Sequence, residues 1–210
     1  SQLIVQWNDS VNLISRKDCT VGVVFGRHIL PSLALLNLPN SPMLPSSGND
    51  DDAGDREVTK QIIDVGTGGG FPGLPLAIAY PQHQFLLVDS TGKKLQVVKA
   101  IAEELGLTNI KTYHGRVEEM IYLTEEGGTD SHTDESAMGN RSRHKRRYHM
   151  CLGRSVAPLP KFCSWIHELL RKEDGYLVYI IGGEIVDWIS DKVQVDVPLQ
   201  NLIPLQDDNN

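Results

Sequence analysis

The residues best suited to binding a ligand form a run of glycines directly after an apolar segment. From Asp64 to Gly70 the sequence reads Asp-Val-Gly-Thr-Gly-Gly-Gly. Glycine lacks a Cβ, so the carboxylate, ribose or phosphate of a ligand can pack against its backbone, and glycine readily adopts the positive φ of tight turns. Backbone N–H groups at the start of a following helix can hydrogen-bond to the same ligand. The run therefore predicts a ligand-binding turn between a strand and a helix.

An acidic residue ends the next apolar segment. Asp89 directly follows the run from Phe85 to Val88. An acid at the end of the strand after a glycine-rich turn can accept hydrogen bonds from both hydroxyl groups of a ribose. Together the glycines and Asp89 indicate a cofactor that contains a nucleoside.

Two cofactor classes and one purely structural role compete for the glycine run. Gly68 to Gly73 also satisfies the G-x-G-x-x-G pattern of dinucleotide-binding loops, which is weak evidence when it stands alone. Asp64 favours a methyl donor, because its carboxylate can bind the donor's amino group, often through water. A dinucleotide loop must instead accept an anionic pyrophosphate. We therefore favour a methyl-donor site over a dinucleotide site and over a structural turn.

Apolar strands that alternate with amphipathic helices indicate the fold that positions these residues. Such alternation predicts an α/β domain with a doubly wound, mainly parallel sheet. The predicted strands are Ile62–Val65, Phe85–Val88, Ile110–Tyr113, Tyr148–Leu152, Tyr176–Ile181 and Val193–Val197. The predicted helices are Leu74–Ala79, Lys93–Leu105 with Gly106 as its stop, Leu159–Leu170 and Ile185–Ile189.

A helical segment at residues 1–38 is predicted to precede this domain and pack on it. Apolar residues recur at helical spacing from Gln2 to Leu13, and a second helical stretch runs from Val21 to Leu38. Within the second stretch we expect a break or bend at Pro31, because proline lacks the N–H that a helix interior uses.

Two polar segments interrupt the pattern. Residues 39–57 predict a mobile loop, and the domain at 58–210 carries a low-complexity insertion at about 124–147. We interpret the basic cluster in the insertion as part of a loop of balanced charge rather than as an RNA tether. It comprises Arg141, Arg143, His144, Lys145, Arg146 and Arg147.

Composition narrows the classes of protein. A chain of 210 residues suits one α/β domain with a sizeable core, and a hydrophobic content of 40% is ordinary for a soluble protein. No apolar run approaches the ~20 residues that span a bilayer, so we expect no membrane segment. A net charge of −7 argues against nonspecific coating of nucleic acid, although a local patch can still bind RNA. The three widely spaced cysteines predict reduced thiols, and no metal-ligand spacing is present.

The glycine run and its continuation to Pro75 resemble the motif of the RsmG/GidB family of ribosomal RNA methyltransferases. Further matching motifs follow in the family's order, so the resemblance covers most of the chain outside the two polar segments. These motifs are Trp7-Asn8, Asn12-Leu13, Arg27 to Leu30, Val88-Asp89-Ser90 with Lys93-Lys94, Gly115 to Glu119, and Arg154 to Ala157.

The resemblance implies a Rossmann-like class I fold and methyl transfer from S-adenosylmethionine to nitrogen 7 of a guanine in small-subunit (16S-type) ribosomal RNA. No residue is assigned as catalytic, because the N7 lone pair can attack without losing a proton and orientation can supply the catalysis. Arg27 and His28 are the candidate contacts with the substrate. The expected cofactor contacts are Asp64, Gly66, Gly68, Phe71, Asp89, Ser90, Thr91, Val117, Glu118 and Arg154.

The expected partner is small-subunit ribosomal RNA or an assembling small subunit, bound by a monomer without a metal. The two polar segments are unlike the compact bacterial form and predict a eukaryotic, plastid member that acts in the chloroplast, with a bacterial-type cytoplasm as the alternative location. Pro31 replaces an Asp of the family, the stretch from Ile180 to Gly183 stands where the family has Lys-Gly, and no closing antiparallel strand is evident before Asn210. These departures leave open a noncatalytic RNA-binding or ribosome-assembly factor, and an oxidoreductase is the third alternative.

Overall fold

The computed structural model of the protein describes residues 1–35, 59–122 and 147–181. Its centre is a five-stranded sheet in the order β3-β2-β1-β4-β5, in which every neighbouring pair is parallel. This is the doubly wound, Rossmann-like α/β arrangement that the sequence predicts. The strands are β1 Gln61–Val65, β2 Gln84–Asp89, β3 Ile110–His114, β4 Met150–Arg154 and β5 Tyr176–Ile180.

Helices cover both faces of the sheet. Successive residues of a strand point to opposite faces, so Ile62 packs into one apolar cluster and Ile63 into the other. The cluster around Ile62 takes in the helices at Gly73–Ala79 and Gly92–Glu104 and the N-terminal helices, whereas the cluster around Ile63 takes in the helix at Leu159–Ile166. The domain helices are α4 Gly73–Ala79, α5 Gly92–Glu104, α6 Glu119–Tyr122 and α7 Leu159–Ile166.

The N-terminal segment is helical but more divided than its apolar spacing predicts. Its first helix, α1, spans Gln2–Asn8 and ends before the predicted Leu13. The cause is the buried side chain of Asn8, whose Oδ1 accepts the backbone N–H groups of Leu13 at 2.8 Å and Ile14 at 3.0 Å. These bonds turn the chain and lead into a short 3-10 helix at Arg16–Asp18.

The helix is not broken at Pro31, where the sequence predicts a break or a bend. Helix α2 (Val21–Val24) continues through a π-helical turn at Phe25–Ile29 into α3 (Leu30–Ala34), and Pro31 lies within α3. The N–H of Leu30 bonds to the carbonyl of Phe25, five residues back. A π turn is wider than an α turn, so it makes room for a proline that lacks an N–H and would crowd the preceding turn.

Two predicted elements differ at their ends, and several lie outside the described residues. Strand β4 is Met150–Arg154 rather than 148–152, and α7 ends at Ile166 rather than Leu170. Tyr148 and Leu170 instead form an isolated bridge beside the sheet, which needs an extended backbone at both positions. The loop at 39–57, most of the insertion at 124–147, the helix at 185–189 and the strand at 193–197 fall outside the described ranges.

The described residues bear on two further expectations from composition. Cys19, Cys151 and Cys163 are all free thiols. Among the helices in the three described ranges, none is long and apolar enough to cross a membrane.

We predict that Asn8→Ala lowers the free energy of unfolding by about 1–3 kcal/mol, because it leaves two buried N–H groups without an acceptor. Chemical denaturation measures the loss. Asn12→Ala, at an exposed position nearby, is the matched control and should stay within about 0.5 kcal/mol of the wild type. Equal stability of the two variants would show that Asn8 does not organise this turn.

Candidate active site

Asp64 closes the turn that follows β1. Its carboxylate is completely buried, and one oxygen, Oδ2, accepts both the Thr67 hydroxyl at 2.6 Å and the Gly73 backbone N–H at 2.9 Å. The turn is therefore tied to the end of β1 at one end and to the start of α4 at the other. The second oxygen, Oδ1, is buried without a hydrogen-bond partner among the described residues. A contact between Asp64 and the cofactor's amino group stays a prediction.

Burial raises the pKa of Asp64 to about 6. The hydrogen bonds from Thr67 and Gly73 and the positive charge of Arg154 oppose this shift by stabilising the carboxylate. Desolvation prevails because the group is out of contact with water, which makes the ionised form costly. The turn is thus built around an acid that resists ionisation.

Gly66 is the residue of the glycine-rich turn that contacts the segment following β4. Its φ of +69° lies in the left-handed region, which a residue with a side chain adopts at a cost. A Cβ added there would lie 2.7 Å and 2.8 Å from the two methyl carbons of Val156, which follows β4. Gly66 is therefore required both by its backbone conformation and by the close approach of Val156.

Asp89 links the turn to the end of β2. Its Oδ2 accepts the N–H of Gly68 at 2.8 Å, and its Oδ1 accepts the N–H of Thr91 at 2.8 Å. Ser90 and Thr91 are exposed beside it. The predicted ribose-binding residues Asp89, Ser90 and Thr91 thus lie together with Gly68 at one edge of the sheet. Each oxygen of Asp89 retains a lone pair that can accept a further hydrogen bond.

The predicted adenine contacts follow β3, the neighbour of β2. Val117 is buried in the apolar core, and Glu118 is half-buried with its carboxylate 3.7 Å from the guanidinium of Arg116. Their position beside the end of β2 suits the far end of a nucleoside bound at Asp89. An adenine contact by Val117 and Glu118 stays a prediction.

On the other side of β1, an aromatic ring and two nitrogen-bearing side chains meet. The guanidinium carbon of Arg154 lies 5.4 Å from the ring centroid of Phe71, within the range of a cation–π contact. The ring of His28 lies 5.2 Å from the same centroid. The predicted cofactor residues Phe71 and Arg154 thus contact each other, and Phe71 also contacts His28, a predicted substrate residue.

A cavity of about 350 Å³ opens at this junction, and we call it the junction cavity. Arg27 and His28 from the N-terminal helices and Arg154 from β4 bring polar groups to it. Its remaining lining residues are Leu13, Ile14, Ser15 and Val23. Candidate substrate and cofactor residues that are far apart in the sequence therefore face one space.

His28 is uncharged in this setting. Burial lowers the pKa of its imidazole, and the charges of Arg154 and Arg27 lower it further. Its Nδ1 is buried without a hydrogen-bond partner among the described residues. Since the ordinary pKa of histidine is near 6.5, the ring is neutral at pH 7 and adds no third positive charge to the junction cavity.

Sequence reasoning missed three contributors to the site. Thr67 lies between the glycines. Its hydroxyl, three residues after Asp64, could have predicted a hydrogen bond that closes the turn. Val156 and Tyr179 gave no such signal, because their roles depend on contacts between β4, β5 and the turn after β1.

The chemistry of the site fits S-adenosylmethionine. Positive-φ glycines at positions 66 and 68 expose backbone that a side chain would cover, and Asp89 offers carboxylate oxygens at the adjoining strand end. In the described ranges, no group of three His, Cys, Asp or Glu residues could bind a metal ion. The residues that would bind the cofactor are the glycines of the turn and Asp89.

A family model and named relatives match this chain over most of its length. A family model described as rRNA small subunit methyltransferase G matches residues 1–189. A protein named ribosomal RNA small subunit methyltransferase G from Christiangramia forsetii is 34% identical over 195 residues, covering 90% of this chain and 73% of that protein. A protein of the same name from Chlorobaculum tepidum is 35% identical over 193 residues, covering 92% and 70%. The solved structure of a SAM-dependent methyltransferase from Aquifex aeolicus aligns at 14% identity with a TM-score of 0.40, over 57% of this chain and 55% of that one.

We predict that Gly66→Ala weakens binding of S-adenosylhomocysteine by at least about tenfold, since a methyl group there displaces Val156 and reshapes the turn. Isothermal titration calorimetry measures the affinity. Gly106→Ala is the matched control, because Gly106 has nearly the same φ, +68°, with no atom within 4 Å of an added Cβ. It should lose about 1–2 kcal/mol of stability to backbone strain and keep the wild-type affinity. Equal affinities of the two variants would contradict the packing argument.

A second prediction concerns pH. Because the folded-state pKa of Asp64 is raised from 3.8 to about 6, folding favours its protonated form. Relative to high pH, the protonated carboxyl of Asp64 raises the free energy of unfolding by up to about 3 kcal/mol. This stabilisation is full below about pH 4 and is lost as pH rises through about 6. Asp64→Asn should remove this dependence in urea denaturation, whereas Asp9→Asn, on the exposed end of α1, should retain it. Parallel pH profiles of Asp64→Asn and the wild type would refute this account of Asp64.

Proposed function

Because the chain belongs to the rRNA small subunit methyltransferase G family, we propose that it transfers a methyl group from S-adenosylmethionine to N7 of a guanine in small-subunit (16S-type) ribosomal RNA. The single observation that supports this reading most is the junction cavity. Arg27 and His28 meet Arg154 there, beside Phe71 of the turn that would bind the methyl donor.

The reaction requires little acid–base chemistry from the protein. Guanine N7 carries a lone pair and no proton, so it can attack an electrophilic carbon without a general base. S-adenosylmethionine supplies that carbon as a methyl group on a positively charged sulfur. The task of the protein is to place the base in line with this methyl group, and orientation of this kind can supply a large share of the catalysis.

The residues of the junction cavity suit this task. Arg27 is exposed on the π-helical turn, where its charge can attract an RNA phosphate. The neutral ring of His28 and the apolar side chains of Leu13, Ile14 and Val23 give the cavity a surface on which an uncharged base can lie. A cation at the rim and an apolar wall inside match a nucleotide with its phosphate outward and its base inward.

The end of β2, where the ribose of the cofactor would bind, is acidic. Asp89 binds the backbone of Gly68 and Thr91 and leaves lone pairs toward a ribose. This acid lies where the ribose would bind, whereas Arg27 lies at the rim of the junction cavity, where an RNA phosphate can approach. The chloroplast location and the monomeric state stay predictions from the sequence.

The direct test is methyl transfer in vitro from labelled S-adenosylmethionine to small subunits and to free small-subunit RNA that lack the modification. We expect incorporation at one guanine, with borohydride–aniline cleavage locating it at N7. Asp89→Ala should reduce the rate by at least about tenfold, because it removes the charge-assisted hydrogen bonds to Gly68 of the turn and to Thr91 after β2. Asp174→Ala, at an exposed carboxylate paired with Arg171, is the control and should keep the wild-type rate.

Two outcomes would contradict the proposal. Failure to methylate either substrate, with S-adenosylhomocysteine still bound, would favour a noncatalytic assembly factor. Methylation at a position other than guanine N7 would retain the enzyme class and refute the target atom.

A further inference from the structure

The hydroxyl group of Tyr179 makes three hydrogen bonds to the turn that follows β4. It accepts the N–H groups of Val156 at 2.9 Å and Ala157 at 3.0 Å, and it donates to the carbonyl oxygen of Ala157 at 2.5 Å. A phenolic oxygen can accept two hydrogen bonds while donating one, so these contacts use its full capacity. A side chain of β5 therefore holds the backbone of residues 156 and 157, which adjoin the candidate site.

The turn in question needs such support. Ser155 has a φ of +51°, which is uncommon for a residue with a side chain and costs about 1–3 kcal/mol. Its N–H bonds to the carbonyl of Ile180 at 3.0 Å, next to Tyr179 on β5. Backbone in a strained conformation persists when its surroundings fix it, and both known attachments of this turn come from β5.

Packing explains how the tyrosine reaches the turn. Tyr179 lies opposite Gly153 in the register of β4 and β5. A Cβ on Gly153 would lie 2.9 Å from the Tyr179 ring and 2.5 Å from the Phe162 ring. The two rings, whose centroids are 4.6 Å apart, therefore fill the space that the glycine leaves. Packing against Gly153 and Phe162 therefore fixes the ring of Tyr179 and directs its hydroxyl to the turn at 155–157.

The turn carries two contacts into the cofactor site. The methyl groups of Val156 lie against Gly66, at the glycine-rich turn after β1. Arg154, directly before Ser155, lies over Phe71 and lines the junction cavity. A shift of the 155–157 backbone would therefore alter the surface at Gly66 and the position of the Arg154 guanidinium together.

We propose that Tyr179 is a positioning residue of the cofactor site: its hydroxyl fixes the turn at 155–157 so that Val156 supports Gly66 and Arg154 stays over Phe71. The proposal rests on the proposed function in so far as S-adenosylmethionine is the cofactor. It assigns Tyr179 no contact with the cofactor, since its effect passes through Val156 and Arg154.

The test is Tyr179→Phe, which removes the hydroxyl and keeps the ring. We expect affinity for S-adenosylhomocysteine, measured by calorimetry, to fall about tenfold, because two N–H groups and one carbonyl lose their partner. In the protein without cofactor, hydrogen exchange should quicken both at 155–157 and at 66–70. Tyr176→Phe is the matched control and should change neither, because Tyr176 lies on the same strand while the bonds to the turn at 155–157 come from Tyr179. A variant with lowered melting temperature but unchanged affinity and exchange at 66–70 would overturn the proposal.

Val156→Ala provides an independent test if the tyrosine variant fails to fold. It leaves the hydroxyl bonds in place and shortens the side chain that contacts Gly66, so affinity for S-adenosylhomocysteine should again fall, and unchanged affinity would overturn the proposal. In the double variant the two losses should be less than additive, because both act through one contact. Fully additive losses would refute the coupling. A wild-type chain that binds S-adenosylhomocysteine but methylates no RNA would refute the proposed substrate and leave this test intact.

Discussion

The site depends on the buried carboxylate of Asp64. Removing an acid from water is costly, and the pKa of about 6 reflects that cost. The bonds from Thr67 and Gly73 to one oxygen offset part of it and, in doing so, fix both ends of the glycine-rich turn. With its ends fixed, the turn presents the N–H of Gly68 to Asp89. The conformation of the turn is therefore set by the two hydrogen bonds to Oδ2 of this buried acid.

Strand order determines what surrounds this turn. Because β1 lies between β2 and β4, the turn after β1 meets the end of β2 on one side and the end of β4 on the other. Ligands of open α/β sheets bind at such places, where connections lead to opposite sides. Asp89 gives one flank a negative charge, and Arg154 gives the other a positive charge over Phe71. The topology thus places an acidic flank suited to a ribose at the end of β2 and a basic flank at the end of β4.

Local sequence patterns were sufficient to predict the five observed strands, the glycine-rich turn and the position of Asp89, because each depends on a short run of consecutive residues. Features that depend on distant contacts were not predicted. Asn8 ends α1 only because Leu13 and Ile14 return to its side chain. Helix continues through Pro31 because a π turn precedes it. The meeting of His28 with Phe71 joins helices and turn from separate parts of the chain, and apolar periodicity carries no information about that pairing.

The proposed activity of the protein is methylation of small-subunit ribosomal RNA in the cell. The most direct measurement is mass mapping of small-subunit RNA from cells that lack the protein, compared with cells that contain it and with cells that express the Asp89→Ala variant. We expect one guanine to lose a single methyl group in the first and third samples and to keep it in the second. Identical methylation of small-subunit RNA in all three samples would contradict it.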